Sequence, residues 1–225
     1  MTTKKNAVVL LSGGLDSVTA LAIAQHQGYQ CYALSFRYGQ RHTAELVASE
    51  KIAKAAHVKK HHIVDLDLSL FESSALINQK LDIPIHPTND IPITYVPARN
   101  TIFLSIAIGW AEVLEADSVY IGVNALDYSG YPDCRPEFIH AFQSMCDLAT
   151  KAGVGGNGVK IQTPLINMTK AEIIKEGMSL GVDYANTVSC YQATLDGLAC
   201  GQCESCQLRV QGFVDAGVKD PTHYK

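Results

Sequence analysis

The chain has 225 residues, which is enough for one substantial hydrophobic core; 47% of them are hydrophobic and 18% are charged. The net charge of −4 gives no reason to expect a nucleic-acid or acidic-membrane partner, and no apolar run approaches the roughly 18 residues that a membrane span needs. The N-terminus lacks a secretory apolar segment, so we expect a cytoplasmic protein. Seven cysteines, four of them near the C-terminus, do not resemble the disulfide framework of a secreted protein.

The first part of the chain alternates predicted strands and helices. Short apolar runs predict strands at 7–11, 31–36 and 62–66. Helical spacing predicts helices at 16–27 and 43–56 between them. Because this alternation favours right-handed crossovers, we expect a parallel sheet with helices on both faces.

A long irregular loop divides the predicted elements. Residues 75–97 carry four prolines and little periodicity, and long loops in compact domains are usually functional or disordered. The later elements are helices at 102–114, 136–149 and 205–216 and strands at 118–123 and 161–164. Thr169 is expected to cap another helix, with Glu172 completing a capping box. We divide the chain into an α/β domain at 1–185 and a cysteine-bearing segment at 186–225 packed on it.

The clearest chemical motif follows the first strand. It reads Ser12-Gly13-Gly14-Leu15-Asp16-Ser17, and it leads directly into a predicted helix. Adjacent glycines let the backbone approach an anion closely, and the amides of a helix N-terminus attract negative charge. No Gly-Lys-Ser/Thr follows, so the string is not a Walker A loop, and it lacks the spacing of a dinucleotide site. The string, together with Leu11 and Val18 on its flanks, therefore predicts a phosphate-binding loop; the alternative is a tight strand-to-helix turn capped by Asp16.

The string resembles the Ser-Gly-Gly-x-Asp-Ser signature of the PP-loop family of ATP pyrophosphatases. Members of this family cleave ATP between its α- and β-phosphates, adenylate an oxygen atom, and let a nitrogen or sulfur nucleophile displace AMP. The resemblance implies ATP as substrate, Mg²⁺ on the pyrophosphate and a catalytic role for Asp16. We assign the chain to the α/β class, as a Rossmann-like fold of the adenine nucleotide alpha hydrolase type with five parallel strands.

Four cysteines form a second motif near the C-terminus. Nine residues separate the first two and two residues separate each later pair, in the order Cys190, Cys200, Cys203 and Cys206. Four thiolates suit one tetrahedral Zn²⁺ with no open position, which indicates a structural ion. An iron–sulfur cluster uses the same ligands, and a redox dithiol is a third reading.

Three further segments indicate which group of PP-loop enzymes the chain resembles. Residues 36–42, 95–100 and 122–135 each follow or end an element and are rich in polar and aromatic side chains. Together with the cysteines they resemble the 7-cyano-7-deazaguanine synthases of queuosine biosynthesis, from the first strand to the last cysteine. One departure is Leu15, where many relatives carry Gln. A homodimer is expected from this resemblance alone.

The resemblance implies a specific reaction. The enzyme would adenylate the carboxylate of 7-carboxy-7-deazaguanine, and ammonia would displace AMP to give the amide. A second ATP would activate the amide oxygen, and loss of AMP would leave the nitrile. A carboxylate needs such activation because its oxygen is a poor leaving group, and a loop that holds pyrophosphate in line would promote it.

Candidate site residues follow from these segments. We expect Asp16 and Arg99 to be catalytic, with Arg99 offsetting charge on the α-phosphate or the substrate carboxylate and Asn100 donating a hydrogen bond beside it. The predicted substrate-binding residues are Arg37 as an anion partner, Asp127 and Asp133 as acceptors for the guanine-like edge, Tyr131 as a stacking ring, and Arg135. Glu45 and Glu50 are expected on the solvated face of a helix.

Other functions compete with this assignment. A PP-loop enzyme that thiolates tRNA would need a persulfide cysteine and an RNA-binding surface, which the net charge does not favour. A non-enzymatic alternative is a zinc-bearing nucleic-acid-binding module with a regulatory nucleotide site. NAD synthetase and GMP synthetase share the loop, but we do not expect this cysteine segment in them.

Overall fold

The structure is a computed structural model that describes residues 5–85, 90–126 and 130–225. Within these ranges five strands form one sheet in the order β3-β2-β1-β4-β5, and every pair is parallel. The strands are β1 Asn6–Leu10, β2 Gln30–Arg37, β3 Lys60–Asp65, β4 Ser118–Tyr120 and β5 Lys160–Gln162. The predicted five-stranded parallel α/β fold is confirmed.

Helices occupy the connections between the strands. They are α1 Leu15–His26, α2 Ala44–Ala55, α3 Arg99–Val113, α4 Pro136–Ala149, α5 Lys151–Val154, α6 Lys170–Ser179 and α7 Glu204–Ala216, with short 3-10 turns at Pro132–Cys134 and Tyr184–Asn186. α3 begins three residues before the predicted residue 102, and β4 ends three residues before the predicted 123. Among the described helices, none is both long and apolar enough to cross a membrane.

The two faces of the sheet are both covered. Along β1, Ala7 and Val9 belong to one core cluster, whereas Val8 and Leu10 belong to another, as the two-residue period of a strand requires. The first cluster includes apolar residues of α1 and α2, and the second includes those of α3 and α4. A strand buried on both faces explains why β1 is continuously apolar in the sequence.

The C-terminal segment shares this core. α6 begins at the predicted capping box, in which the Thr169 hydroxyl accepts from the Glu172 backbone N–H and the Glu172 carboxylate accepts from the Thr169 backbone N–H. Phe213 of α7 is buried in the same cluster as Ile173 and Ile174 of α6. The segment after residue 185 therefore packs on the α/β core, and its treatment as a separate unit stays a prediction.

The strand order determines where a ligand-binding crevice can form. From β1 the chain proceeds outward to β2 and β3, and it then returns to add β4 and β5 on the other side of β1. In open parallel sheets a crevice forms at such a reversal, outside the carboxyl ends of the strands. Here β1 and β4 are the strands that flank the reversal.

Candidate active site

A cavity of about 230 Å³ opens at this reversal. Its walls come from the ends of β1, β2 and β4, the first turns of α1, α2 and α3, and residues near the C-terminus. Predicted site residues that line it are Leu11, Ser12, Gly14, Leu15, Asp16, Ser17, Arg99, Asn100 and Tyr131. The structure therefore brings the predicted phosphate loop and the predicted catalytic arginine to one cavity.

The phosphate loop is held in a conformation that requires glycine. Gly13 has a φ of +89°, and a Cβ on it would lie 2.3 Å from the Glu45 carbonyl oxygen at the start of α2. The Gly14 N–H donates to the Ser12 hydroxyl at 3.3 Å, and the Ser12 and Ser17 hydroxyls are 3.0 Å apart. The loop is thus a tight backbone turn whose hydroxyls and amides face one another at the N-terminus of α1.

A second glycine brings β4 against this loop. A Cβ on Gly122 would lie 2.9 Å from the backbone carbonyl carbon and oxygen of Asp16. The chain after β4 therefore touches the first turn of α1 with no room for a side chain. This close approach forms the floor of the cavity between β1 and β4.

Asp16 is paired with a lysine at the start of α6. The Lys170 ammonium donates to the Asp16 carboxylate at 2.7 Å, and the two side chains are 9% and 20% exposed. Both residues line the cavity. An ammonium group here would contribute positive charge beside the helix N-terminus where phosphate oxygens are expected.

Arg99 stands on the opposite wall. Its guanidinium donates to the Tyr38 hydroxyl at 3.2 Å and lies 5.9 Å from the centre of the Tyr38 ring. In the described part of the chain, no carboxylate forms an ion pair with Arg99. A cavity-lining guanidinium without a counter-ion is suited to an anionic ligand.

The four predicted cysteine ligands converge. Their sulfur atoms all lie within 4.8 Å of one another, and none of these cysteines forms a disulfide. Backbone N–H groups of Gln192 and Cys200 donate to the Cys190 sulfur, each at 3.2 Å. Such N–H···S bonds stabilise thiolates, and four soft ligands at this separation fit a closed tetrahedral metal site.

The cysteine segment also contacts the phosphate loop. The Leu15 N–H donates to the Ser189 hydroxyl at 3.2 Å, and the Val188 N–H donates to the Gly13 carbonyl at 3.0 Å. Because Ser189 directly precedes Cys190, the metal site and the phosphate loop are mechanically linked. His42 adds a further link, since its Nε2 atom lies 2.8 Å from the Cys190 carbonyl oxygen.

A family model described as "Queuosine biosynthesis protein QueC" matches residues 6–217. The chain belongs to this family. It is 61% identical to the 7-cyano-7-deazaguanine synthase of Saccharophagus degradans, with 98% of each sequence covered. It is 60% identical to the synthase of the same name from Coxiella burnetii, again with 98% of each covered. The predicted resemblance to the 7-cyano-7-deazaguanine synthases is confirmed.

Solved structures of more distant proteins share the fold. The NMN synthetase of Francisella tularensis superposes with a TM-score of 0.51 at 17% identity, covering 96% of this chain and 79% of its own. A 4-thiouridine synthetase, solved as an RNA complex with bound ATP, gives 0.54 at 18% identity, covering 100% and 48%. At these identities the similarity supports the fold alone.

Several predicted residues in this QueC-family chain lie outside the cavity. Asp133 is buried, and its carboxylate accepts the Asn100 backbone N–H at 2.9 Å, so it caps α3. The Asn100 side chain in turn donates to the Asp133 carbonyl at 3.0 Å. Burial raises the pKa of Asp133, although the Asn100 N–H and the Arg99 charge oppose this rise. The structure therefore shows Asp133 shaping the start of α3, while its predicted contact with substrate stays a prediction.

Of the other predicted substrate-binding residues, one lines the cavity and two lie on the surface. The Tyr131 hydroxyl lies 2.8 Å from the Thr94 hydroxyl, and its ring lines the cavity. Arg37 is on the surface and pairs with Asp65, while Arg135 is exposed at the N-terminus of α4. Neither arginine lines the cavity, so the structure does not bring them to the site.

Two other predicted residues lie behind the cavity lining, and a third lies outside the described residues. The first two are Val18 and Gly13, and the third is Asp127.

Two charged groups in the cavity were missed by the sequence reasoning. Lys170 follows the recognised cap Thr169, but nothing local indicates that its side chain reaches Asp16. Glu45, expected on a solvated helix face, is partly buried and lines the cavity, whereas Glu50 is exposed as expected. Burial raises the pKa of Glu45 to about 7, and the Arg99 charge acts in the opposite direction. The position of Glu45 beside a predicted anion-binding segment was the one available signal.

Proposed function

We propose that this chain is an ATP-dependent ligase that converts 7-carboxy-7-deazaguanine and ammonia to 7-cyano-7-deazaguanine. The observation that carries the proposal is the pairing of a phosphate loop with an arginine that has no ion-pair partner among the described residues, on opposite walls of one cavity. The curated relatives bear the name of this enzyme, and they match over almost the whole chain. The loop supplies a site for the pyrophosphate of ATP, and Arg99 supplies one for the carboxylate or the α-phosphate.

The first step joins these two sites. A carboxylate oxygen of the substrate attacks the α-phosphorus of ATP, and the bond to the β-phosphate oxygen breaks to release pyrophosphate. Gly14 and the first turn of α1 would hold the leaving group through backbone amides, and Lys170 adds a positive charge. Mg²⁺, bound beside Asp16, would neutralise charge on the pyrophosphate. Arg99 would hold the reacting oxygen in line and balance the charge on the α-phosphate.

The second half of the reaction repeats this activation. Ammonia attacks the carbonyl carbon of the acyl adenylate, the bond to AMP breaks, and the amide forms. A second ATP adenylates the amide oxygen with release of pyrophosphate, and loss of AMP and of both nitrogen-bound protons then leaves the nitrile. The same loop and arginine serve both adenylations because both place an oxygen atom against the α-phosphate.

The cysteine cluster is proposed to bind one structural Zn²⁺. Four protein ligands leave no open position for substrate, and among the described residues Val188 and Ser189 hydrogen-bond the cluster segment to the phosphate loop. Metal analysis of the purified protein should find about one zinc per chain. Iron with inorganic sulfide would instead assign an iron–sulfur cluster.

A single incubation tests the proposed reaction. Purified protein is mixed with Mg-ATP, ammonium and 7-carboxy-7-deazaguanine, and the products are followed by mass spectrometry. We expect the amide and then the nitrile, with AMP and pyrophosphate as the nucleotide products. Release of ADP, or no conversion of the acid, would contradict the proposal. Omitting ammonium should stop the reaction at the adenylate. Asp16→Ala, with its fold verified, should abolish turnover.

The homodimer stays a prediction, and analytical sedimentation can test it.

A further inference from the structure

A small side cavity adjoins the main one and is the starting point of this inference. Its volume is about 50 Å³, and it shares Tyr38, Gln40, Glu45, Arg99 and Tyr191 with the main cavity. A water molecule occupies about 30 Å³ in the liquid, so the space suits one or two molecules of that size. Ammonium and ammonia are of this size, while ATP and a deazaguanine are far larger.

Glu45 is the acidic group at the junction of the two cavities. It is the only aspartate or glutamate among the described residues that line the side cavity, and it also lines the main one. Within the described ranges, its carboxylate forms no hydrogen bond and no ion pair. Its backbone carbonyl lies against Gly13, because a Cβ on that glycine would approach it to 2.3 Å. Glu45 therefore stands between the phosphate loop and Arg99.

Three other polar side chains of the side cavity are each hydrogen-bonded to the backbone. The Gln40 side chain accepts from the Tyr38 N–H at 2.7 Å and donates to the Phe36 carbonyl at 3.1 Å. Arg41 donates to the backbone carbonyls of Ala75, Asn78 and Leu81. The His42 Nε2 atom lies 2.8 Å from the Cys190 carbonyl oxygen, whereas its buried Nδ1 atom has no hydrogen-bond partner among the described residues. Glu45 is the carboxylate acceptor for a small cationic donor that enters this space, and the His42 Nδ1 atom is a second acceptor that carries no negative charge.

We propose that the side cavity admits ammonium and that Glu45 is the general base that deprotonates it for attack on the adenylate. One proton passes from the ammonium ion to the Glu45 carboxylate, and the freed lone pair forms the new C–N bond. The C–O bond to AMP then breaks, and a second proton leaves the nitrogen for solvent. This inference rests on the proposed function and adds the group that prepares the nucleophile.

The electrostatics of Glu45 suit such a base. Burial raises its pKa to about 7, which lies near the working pH at which a general base is most effective. The Arg99 charge lowers this pKa. Burial raises the pKa of Tyr38, the Arg99 charge opposes that rise, and the Glu45 charge adds to it. The titratable groups that line the side cavity with Glu45 come from three segments and are Tyr38, Arg41, His42, Arg99 and Tyr191.

The test separates adenylation from ammonia capture. Adenylation alone is followed by acid-dependent exchange of labelled pyrophosphate into ATP without ammonium. In Glu45→Gln we expect this exchange to stay within about threefold of the wild type, while amide formation from ammonium falls about 10²- to 10³-fold. Hydroxylamine is uncharged at neutral pH and needs no base, so hydroxamate formation should stay near the wild-type rate. Glu45→Asp should recover part of the amide formation.

Each result has a definite consequence. Loss of exchange or of hydroxamate formation in Glu45→Gln would overturn the base assignment, as would amide formation within threefold of the wild type. Absence of exchange in the wild-type protein would instead contradict the proposed function. Glu50→Gln, an exposed change on the same helix, is the matched control and should leave all three rates unchanged.

A pH profile gives an independent readout. At fixed total ammonium, the wild-type amide rate should rise as Glu45 ionises and level off above about pH 7. In Glu45→Gln the rate should continue to rise with pH, because only free ammonia can react. Parallel profiles for the two proteins would contradict the proposal.

Discussion

The two walls of the cavity handle charge in opposite ways. On the phosphate-loop wall, Asp16 and Lys170 neutralise each other at 2.7 Å, and backbone groups provide most of the remaining polarity. Arg99 on the opposite wall, and Glu45 between the phosphate loop and Arg99, have no ion-pair partner among the described residues. The Asp16–Lys170 pair is complete without a ligand, whereas Arg99 and Glu45 are charged side chains that remain available to one.

Because the two walls differ in charge pairing, we expect them to have different functional roles. A backbone cradle holds phosphate by shape and helix polarity, and it changes little during turnover. Unpaired side chains bear a desolvation cost that is recovered when an ionic ligand or transition state reaches them. We therefore expect changes in the loop wall, apart from those at Asp16, to alter mainly stability and ATP binding, and changes at Arg99 and Glu45 to alter chemistry.

Removal of the metal should produce the largest change in stability, and it should act on the loop wall. A chelator with a reductant would leave four thiolates without their ion, and the backbone contacts of Val188 and Ser189 with the loop would loosen. We expect the thermal midpoint to fall by on the order of 10 °C and ATP affinity to fall with it, both being recovered on adding zinc. Calorimetry and ATP titration measure these effects.

The control for metal removal is a cysteine outside the cluster. Cys146→Ala changes a buried cysteine of α4 and should leave the zinc content at the wild-type value. An unchanged thermal midpoint in the metal-free protein would show that the cluster does not support the fold.

On the wall opposite the phosphate loop, substitution of Arg99 should produce the largest change in catalysis. Arg99→Ala removes a guanidinium that has no carboxylate partner among the described residues, and we expect kcat/KM for the acid to fall about 10²- to 10³-fold. The free energy of unfolding should change little, because no carboxylate loses a partner. Arg99→Lys should retain only part of the activity, since an ammonium cannot bind an anion in the same forked geometry.

Arg37→Ala is the matched comparison for Arg99. Arg37 pairs with Asp65 on the surface, and such exposed pairs contribute little to stability. Its kcat/KM should stay within about threefold of the wild type, unlike that of Arg99→Ala. Equal losses in the two variants would mean that the cavity is not where the acid binds.

The Asp16–Lys170 pair should also contribute to stability, and this smaller effect can be measured apart from the loss of turnover expected when Asp16 is changed. Lys170→Met leaves Asp16 without its partner in a largely buried position, so we expect the free energy of unfolding to fall by about 2 kcal/mol. Asp16→Asn combined with Lys170→Met should recover part of this loss, which a double-mutant cycle measures. Lys175→Met, an exposed change on the same helix, serves as the control. Strictly additive effects would contradict the pairing.

Contiguous motifs made much of this molecule predictable from sequence. The apolar run before Ser12, the glycine pair and the following helix form one local unit, and so does the capping box at Thr169. The cysteine spacing likewise predicted a cluster whose sulfur atoms lie within 4.8 Å of one another. In each case neighbouring residues determine the geometry, so the pattern in the sequence is sufficient.

The remaining features depend on contacts between distant segments. Lys170 meets Asp16 across 154 positions, and the face of α2 that carries Glu45 becomes an inner wall only because it packs on Gly13. The α3 helix starts early because Asp133 caps it from 33 residues away, where no local capping side chain exists. Propensity and periodicity contain no information about such pairings.

Asp133 should give the smallest effect, and it tests the support of the opposite wall. Asp133→Asn keeps an oxygen that can accept the Asn100 N–H, so α3 should start at the same residue and kcat/KM should change less than about threefold. Asp133→Ala loses this cap and should lower the free energy of unfolding by about 1 kcal/mol. Because the folded-state pKa of Asp133 is raised by burial, its favourable contribution is complete below the unfolded pKa and is lost as pH rises through the folded pKa. The stability of Asp133→Asn relative to the wild type should therefore increase with pH across that interval, as urea unfolding at several pH values would show. If Asp133→Asn instead lowered kcat/KM strongly at unchanged stability, the carboxylate would be a substrate contact, as the sequence alone suggested.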